Sequence, residues 1–211
     1  MTGKDWAAWH AAYENPASDL SFRLRSVQAA IGAWLDSRTD PALRVVSICA
    51  GEGRDLLGVL AGRPDAGRVS ARLVELDPRN AAAARAHAAA AGLPSVEVVE
   101  ADAGLFAAYA GAVPADLVIV VGVLGNMSQA DALATIAALP ALCAAGATVL
   151  WTRGRQHHDR TPELRAAFAG AGFAEQSFLA PEHSIFSFGV HRFDGRPRPL
   201  PGDGRMFTFT T

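Results

Sequence analysis

From Pro41 onward the sequence alternates short β-branched runs with alanine-rich stretches, the pattern left by strands and helices taken in turn. Residues 44–49 read as a strand, a glycine-containing turn follows, and residues 55–61 read as a helix. The next unit has a strand at 69–76, an alanine helix at 78–91 stopped by Gly92, and a strand at 96–99. A third has a strand at 115–121, a helix at 128–145 bent at Pro140, and a strand at 148–151. Such alternation calls for parallel strands joined by right-handed crossovers, with helices on both faces of a doubly wound sheet. Leu117-Val118-Ile119-Val120-Val121 is apolar throughout, as a strand covered on both faces must be.

The two ends depart from this rhythm. Toward the C-terminus, Thr161-Pro162-Glu163 opens a helix that ends at Gly170 or Gly172. Strands at 174–179 and 184–192 follow with no helix between them, so they form an antiparallel hairpin at the sheet edge, since a parallel pair needs a long crossover. Residues 206–210 are a candidate for one more short edge strand. Toward the N-terminus, Trp6, Trp9 and Tyr13, then Leu20, Leu24, Val27, Ile31 and Leu35, recur at helical spacing around an Asn15-Pro16 breaker. Residues 1–40 therefore read as a helical lid segment and residues 41–211 as the main α/β domain.

Composition narrows the function classes. With 19 Lys plus Arg against 21 Asp plus Glu, no basic excess exists to neutralise a phosphate backbone, which argues against nucleic acid as the main partner. No uncharged apolar stretch is long enough to span a membrane. The start MTGKDWAAWH lacks a basic region followed by an apolar one, so a cytoplasmic location is expected. The two cysteines read as packing residues: Cys49 beside the turn, Cys143 on the alanine helix.

Chemistry concentrates at strand ends. Cys49-Ala50-Gly51-Glu52-Gly53 leaves the first strand at its carboxyl end, where open α/β sheets bind ligands. A dinucleotide fingerprint needs a third glycine where Leu56 stands, and no Gly-Lys-Ser/Thr completes a Walker loop. Glu75, at the end of the next strand, suits both ribose hydroxyls, and Asp102, at the end of the third, suits an exocyclic adenine amine. Together they describe a nucleoside site without a phosphate clamp.

In the order and spacing of these features, over roughly residues 45–192, the chain resembles the class I S-adenosylmethionine-dependent methyltransferases. That family's acidic-x-Gly-x-Gly-x-Gly turn matches Ser47 to Gly53, with Ser47 at the acid and Cys49 at the first glycine. The resemblance implies a Rossmann-like seven-stranded sheet whose last strand inserts antiparallel between the fifth and sixth. It implies S-adenosylmethionine as cofactor and S-adenosylhomocysteine as product. It assigns cofactor contacts to Ser47, Ala50, Gly51, Glu52 and Gly53, to Glu75 and Leu76, to Asp102 and Ala103, and to Val121, Gly122 and Val123 after the fourth strand.

The acceptor side is less defined. The stretch 151–160 gathers His157, His158, Asp159 and three arginines at the same sheet edge, making either histidine a candidate base. Tyr13, on the lid, is a third candidate, and Arg23 and Arg25 are placed to meet a carboxylate. Two adjacent histidines with one nearby acid fall short of a metal site, and none is expected. Gly125-Asn126-Met127-Ser128 is not the Asn/Asp-Pro-Pro-aromatic signature of base methylation. The expected enzyme thus methylates a small molecule, as a monomer or a homodimer. A nicotinamide-dependent oxidoreductase and a catalytically silent S-adenosylmethionine-binding regulator are the alternatives.

Overall fold

The structure, a computed structural model, describes Tyr13, residues 15–156 and residues 158–209. Trp6, Trp9 and His157 lie outside the described residues, and with them most of the first expected helix. Helix α1 spans Asp19–Asp36; the Ser18 hydroxyl caps it by accepting from the Ser21 N–H. The alternating region follows as β1 (Leu43–Ile48), α2 (Arg54–Leu60), β2 (Val69–Glu75), α3 (Pro78–Ala90), β3 (Val96–Glu100), β4 (Ala115–Val120) and α4 (Gln129–Ala138). It closes with β5 (Cys143–Gly154), α5 (Thr161–Gly170), β6 (Phe173–Leu179) and β7 (Phe186–Phe193).

The seven strands form one sheet in the order β3-β2-β1-β4-β5-β7-β6. Strands β1 to β5 run parallel, and β7 is antiparallel to both of its neighbours. The hairpin therefore lies at the edge as expected, with β6 outermost and β7 inserted between it and β5. Among the described residues no helix is long and apolar enough to cross a membrane.

Alternate residues of the inner strands feed two separate cores, which is why these strands tolerate no polar face. Val45, Leu117 and Ile119 pack with Val27, Ile31 and Trp34 of α1 and with Leu56, Leu57 and Leu60 of α2. Val46, Val118 and Val120 face the other way, onto Ile136 of α4 and Leu164 and Phe168 of α5. Helix α3 buries only small side chains, among them Ala81, Ala84 and Ala88, so it lies close to the sheet.

Two expectations are corrected. The helix expected over 128–145 ends at Ala138; a 3-10 turn at Leu139–Ala141 carries Pro140, and Cys143 already belongs to β5. Proline removes the amide that the helix needs, and pairing of Ala115 with Cys143 then overrides the helical preference of the alanines. Cys143 is buried as expected, but in a strand, and burial pushes its thiol up to about 12. Among the described residues the expected further edge strand at 206–210 does not form: Arg205 and Phe209 make isolated bridges to Leu105 and Met127.

Beneath the hairpin, Trp151 stacks on Phe168 with centroids 5.4 Å apart and donates from Nε1 to His191 Nδ1 at 3.1 Å. Burial drops the His191 pKa to about 4; Glu175 opposes the shift and Arg165 adds to it. Between its ordinary value of 6.5 and about 4, the unfolded chain binds a proton that the native chain refuses, so acid favours unfolding. Lowering the pH from 7 to 5 is expected to cost about 2 kcal/mol through this residue. Urea unfolding at the two pH values checks it: His191→Gln should flatten the dependence, and an unchanged slope would discharge His191.

Candidate active site

The polypeptide leaves β1 through three left-handed residues, Cys49 (φ 51), Gly51 (φ 56) and Gly53 (φ 73), which swing it across the carboxyl edge of the sheet. The turn is tied to its neighbour strand, since Ala50 N–H donates to the Val74 carbonyl. Glu75 completes the tie. Its Oε2 accepts from Gly51 N–H and its Oε1 from Asp77 N–H, each at 2.8 Å. A nearly buried carboxylate is thus held rigidly at the end of β2, with lone pairs left over for a ligand.

A cavity of about 460 Å³ opens over this edge. It is walled by Glu75, Leu76, Asp102, Ala103 and Phe209 and by Tyr13, Arg23, Asp55, Val121 and Gly122, among others. Leu76, an apolar side chain, is 61% exposed on this wall. Asp102 is fixed by Gly104 N–H on one oxygen and by Arg205, at 2.7 Å, on the other. Cys49 also lines the cavity, but burial, and then the charges of Glu75 and Asp102, push its thiol well above the ordinary range; it is not a nucleophile at neutral pH.

Tyr13, Arg23, Arg54 and Asp55 form a charged cluster on the cavity wall. Arg23, 4% exposed on α1, donates from Nη2 to the Tyr13 hydroxyl at 2.6 Å, and the Arg54 guanidinium lies over the Tyr13 ring at 5.1 Å. Burial raises the Tyr13 phenol above its ordinary value, so at neutral pH it serves as a hydroxyl, not as a base. Burial likewise raises the Asp55 carboxyl, with Arg23 opposing, and Asp55 Oδ1 is buried with no hydrogen-bond partner. Asp55 Oδ1 is thus left with a hydrogen bond unmade beside a ligand-sized cavity.

A second cavity, about 380 Å³, shares Arg23 and Gly122 with the first. It is walled by Asn126, Thr152, Arg153, His158 and Phe186, among others. Thr152 Oγ1 accepts from Gly122 N–H at 2.9 Å, joining the ends of β4 and β5.

Most of the expected residues meet here. Ala50, Gly51, Glu52, Glu75, Leu76, Asp102, Ala103, Val121, Gly122 and Tyr13 line the first cavity, and His158 lines the second. Three do not reach either wall. Ser47 is buried within β1 and Val123 is wholly buried in the core. Gly53 is a packing residue: a Cβ there would sit 2.7 Å from Leu57 Cδ1 and 2.8 Å from Leu73 Cδ2. Asp159, in the loop expected to face an acceptor, is spent on helix α5, accepting from Thr161 N–H and Oγ1. Sequence reasoning missed Asp55, whose charge amid Leu56 and Leu57 was a usable signal. It also missed Phe209 and Arg205, which come from the far end of the chain and leave no local signal.

No protein-family model matches this chain, and no curated protein matches it in sequence. Solved structures do match. The magnesium protoporphyrin IX methyltransferase of Synechocystis PCC 6803, solved with bound SAM, aligns at TM-score 0.70 and 14% identity, over 90% of this chain and 91% of that one. An O-methyltransferase family protein from Burkholderia thailandensis aligns at TM-score 0.61 and 17% identity, over 84% of this chain and 60% of that one. Mitomycin 7-O-methyltransferase aligns at TM-score 0.56 and 18% identity, over 87% and 60%. With its strand order, its antiparallel β7 and a cavity at the carboxyl edge of the sheet, the chain has the class I methyltransferase fold.

Proposed function

We propose that this protein is an S-adenosylmethionine-dependent methyltransferase acting on a small molecule. The observation that carries the reading is Glu75, locked by two backbone amides at the end of β2 inside a ligand-sized cavity. Its free lone pairs suit the two ribose hydroxyls. Leu76 and Phe209 flank the space beside it, where Asp102 and Ala103 border an adenine. On the same cavity wall Asp55 and Arg23 match the ammonium and carboxylate of an amino acid. Asp55 thereby supplies the acid that Ser47 does not.

When bound, the cofactor supplies a methyl group made electrophilic by its sulfonium. The chain's own task is to hold an acceptor against that methyl group and to exclude water. Helix α1, from the segment read as a lid, contributes Arg23 to that closure. His158, on the wall of the second cavity, is the proposed base for an oxygen or nitrogen acceptor that must lose a proton; His157 remains the alternative from the sequence.

Thermal denaturation with saturating S-adenosylhomocysteine or NAD tests the reading. The first is expected to raise Tm and the second to leave it unchanged; the reverse pattern identifies an oxidoreductase instead. Asp55→Asn is expected to weaken S-adenosylhomocysteine binding about tenfold, through one lost charged interaction, without lowering Tm. A fall in Tm with unchanged affinity would make Asp55 a structural residue. His158→Ala should leave S-adenosylhomocysteine affinity unaltered.

A further inference from the structure

The second cavity has a chemistry of its own. Its walls bring Arg23, Arg153 and His158 together with the amide of Asn126, and among the described residues no carboxylate lines it. Arg153, near the end of β5, donates from Nη1 to the Leu124 carbonyl, while its Nε is buried with no hydrogen-bond partner. Among the described residues Arg153 forms no ion pair. The two acids whose charge reaches it are engaged elsewhere, Asp159 by Thr161 and Glu163 near Arg160 at 3.9 Å. Burial, and then the charge of Arg160, pull the Arg153 pKa below its ordinary value, the direction expected of a cation short of a counter-charge. Ile185 and Phe186 supply an apolar part of the wall.

A half-buried guanidinium with no paired carboxylate is open to an anionic ligand, and its fork matches two oxygens of one acidic group. We propose that the second cavity holds the methyl acceptor by an oxyanion, a carboxylate or a phosphate, on Arg153, with the acceptor's apolar part against Ile185 and Phe186. The acceptor is then a small organic anion. The proposal rests on the methyltransferase reading for the word acceptor, and on Arg153 alone for the anion.

The full chain is titrated calorimetrically with sodium benzoate, phenyl phosphate and neutral benzamide, with and without saturating S-adenosylhomocysteine. At least one of the two anions is expected to bind, with benzamide at least tenfold weaker; the tighter anion decides between carboxylate and phosphate. Arg153→Met is expected to weaken the anion at least tenfold and to leave S-adenosylhomocysteine affinity within twofold. Benzamide binding as tightly as the anions, no binding of either anion, or unchanged anion affinity in Arg153→Met would each overturn the proposal. The comparison of benzoate with benzamide uses the unaltered protein, so it decides even if Arg153→Met fails to fold. Absence of S-adenosylhomocysteine binding would overturn the methyltransferase reading separately, since the anion titration is read without it as well.

Discussion

Replacing Glu75 with alanine is expected to weaken S-adenosylhomocysteine binding by about a hundredfold, close to 3 kcal/mol. Two losses combine. The variant removes the acceptor proposed for the ribose hydroxyls, and it frees the Gly51 and Asp77 amides that the carboxylate holds at 2.8 Å, so the glycine turn keeps only its Ala50–Val74 backbone link to β2. Calorimetric titration of the variant measures the combined effect. Glu75→Gln separates the parts, because one amide oxygen can still accept from a backbone N–H while the second position becomes a donor. Its affinity should fall between that of the alanine variant and that of the native protein. Unchanged affinity in Glu75→Ala would remove the residue from the binding site and leave it a structural tie.

Gly189→Ala is expected to be the most destabilising small change in the sheet, costing about 3 kcal/mol or more. Gly189 of β7 pairs with Trp151 of β5, and a Cβ there would lie 2.3 Å from Trp151 Nε1 and 2.4 Å from Cε2. The indole has no room to retreat. It stacks with both Phe168 and Phe178, and its Nε1 donates to His191. For a chain of this size, a loss of that order lowers Tm by roughly 10 °C. Trp151→Phe removes the very atoms that the new methyl would strike, so the double variant should be more stable than the sum of the two single losses predicts. Additive losses would show that the methyl group meets something other than the indole.

The sheet was legible because burial on both faces leaves a plain record. Strand β2 was expected at 69–76 and ends at Glu75; β4 was expected at 115–121 and ends at Val120. The start of β5 was not legible, because alanine favours a helix locally while Pro140 and the ladder to Ala115 decide the outcome from outside the segment. The site divides the same way. Glu75, Leu76 and Asp102 could be placed because a strand end fixes where its next residues stand. Ser47, Gly53 and Val123 were assigned by position in a motif, but their side-chain surroundings face the core. Phe209 and Arg205 reach the cavity and Asp102 through contacts more than a hundred residues away in sequence, which no local pattern encodes. Arg153 belonged to a loop that the sequence marked as basic; only the fold shows that it lines the second cavity while Arg155 is turned to the carbonyls of Pro181 and Ser184.

The most direct measurement is calorimetric titration of the purified protein with S-adenosylhomocysteine and, separately, with NAD. A cavity built around Glu75, Asp55 and Arg23 predicts one molecule of S-adenosylhomocysteine bound per chain with micromolar affinity, and no binding of NAD. No heat with S-adenosylhomocysteine, or saturable binding of NAD in its place, would contradict the assignment of this cavity to S-adenosylmethionine.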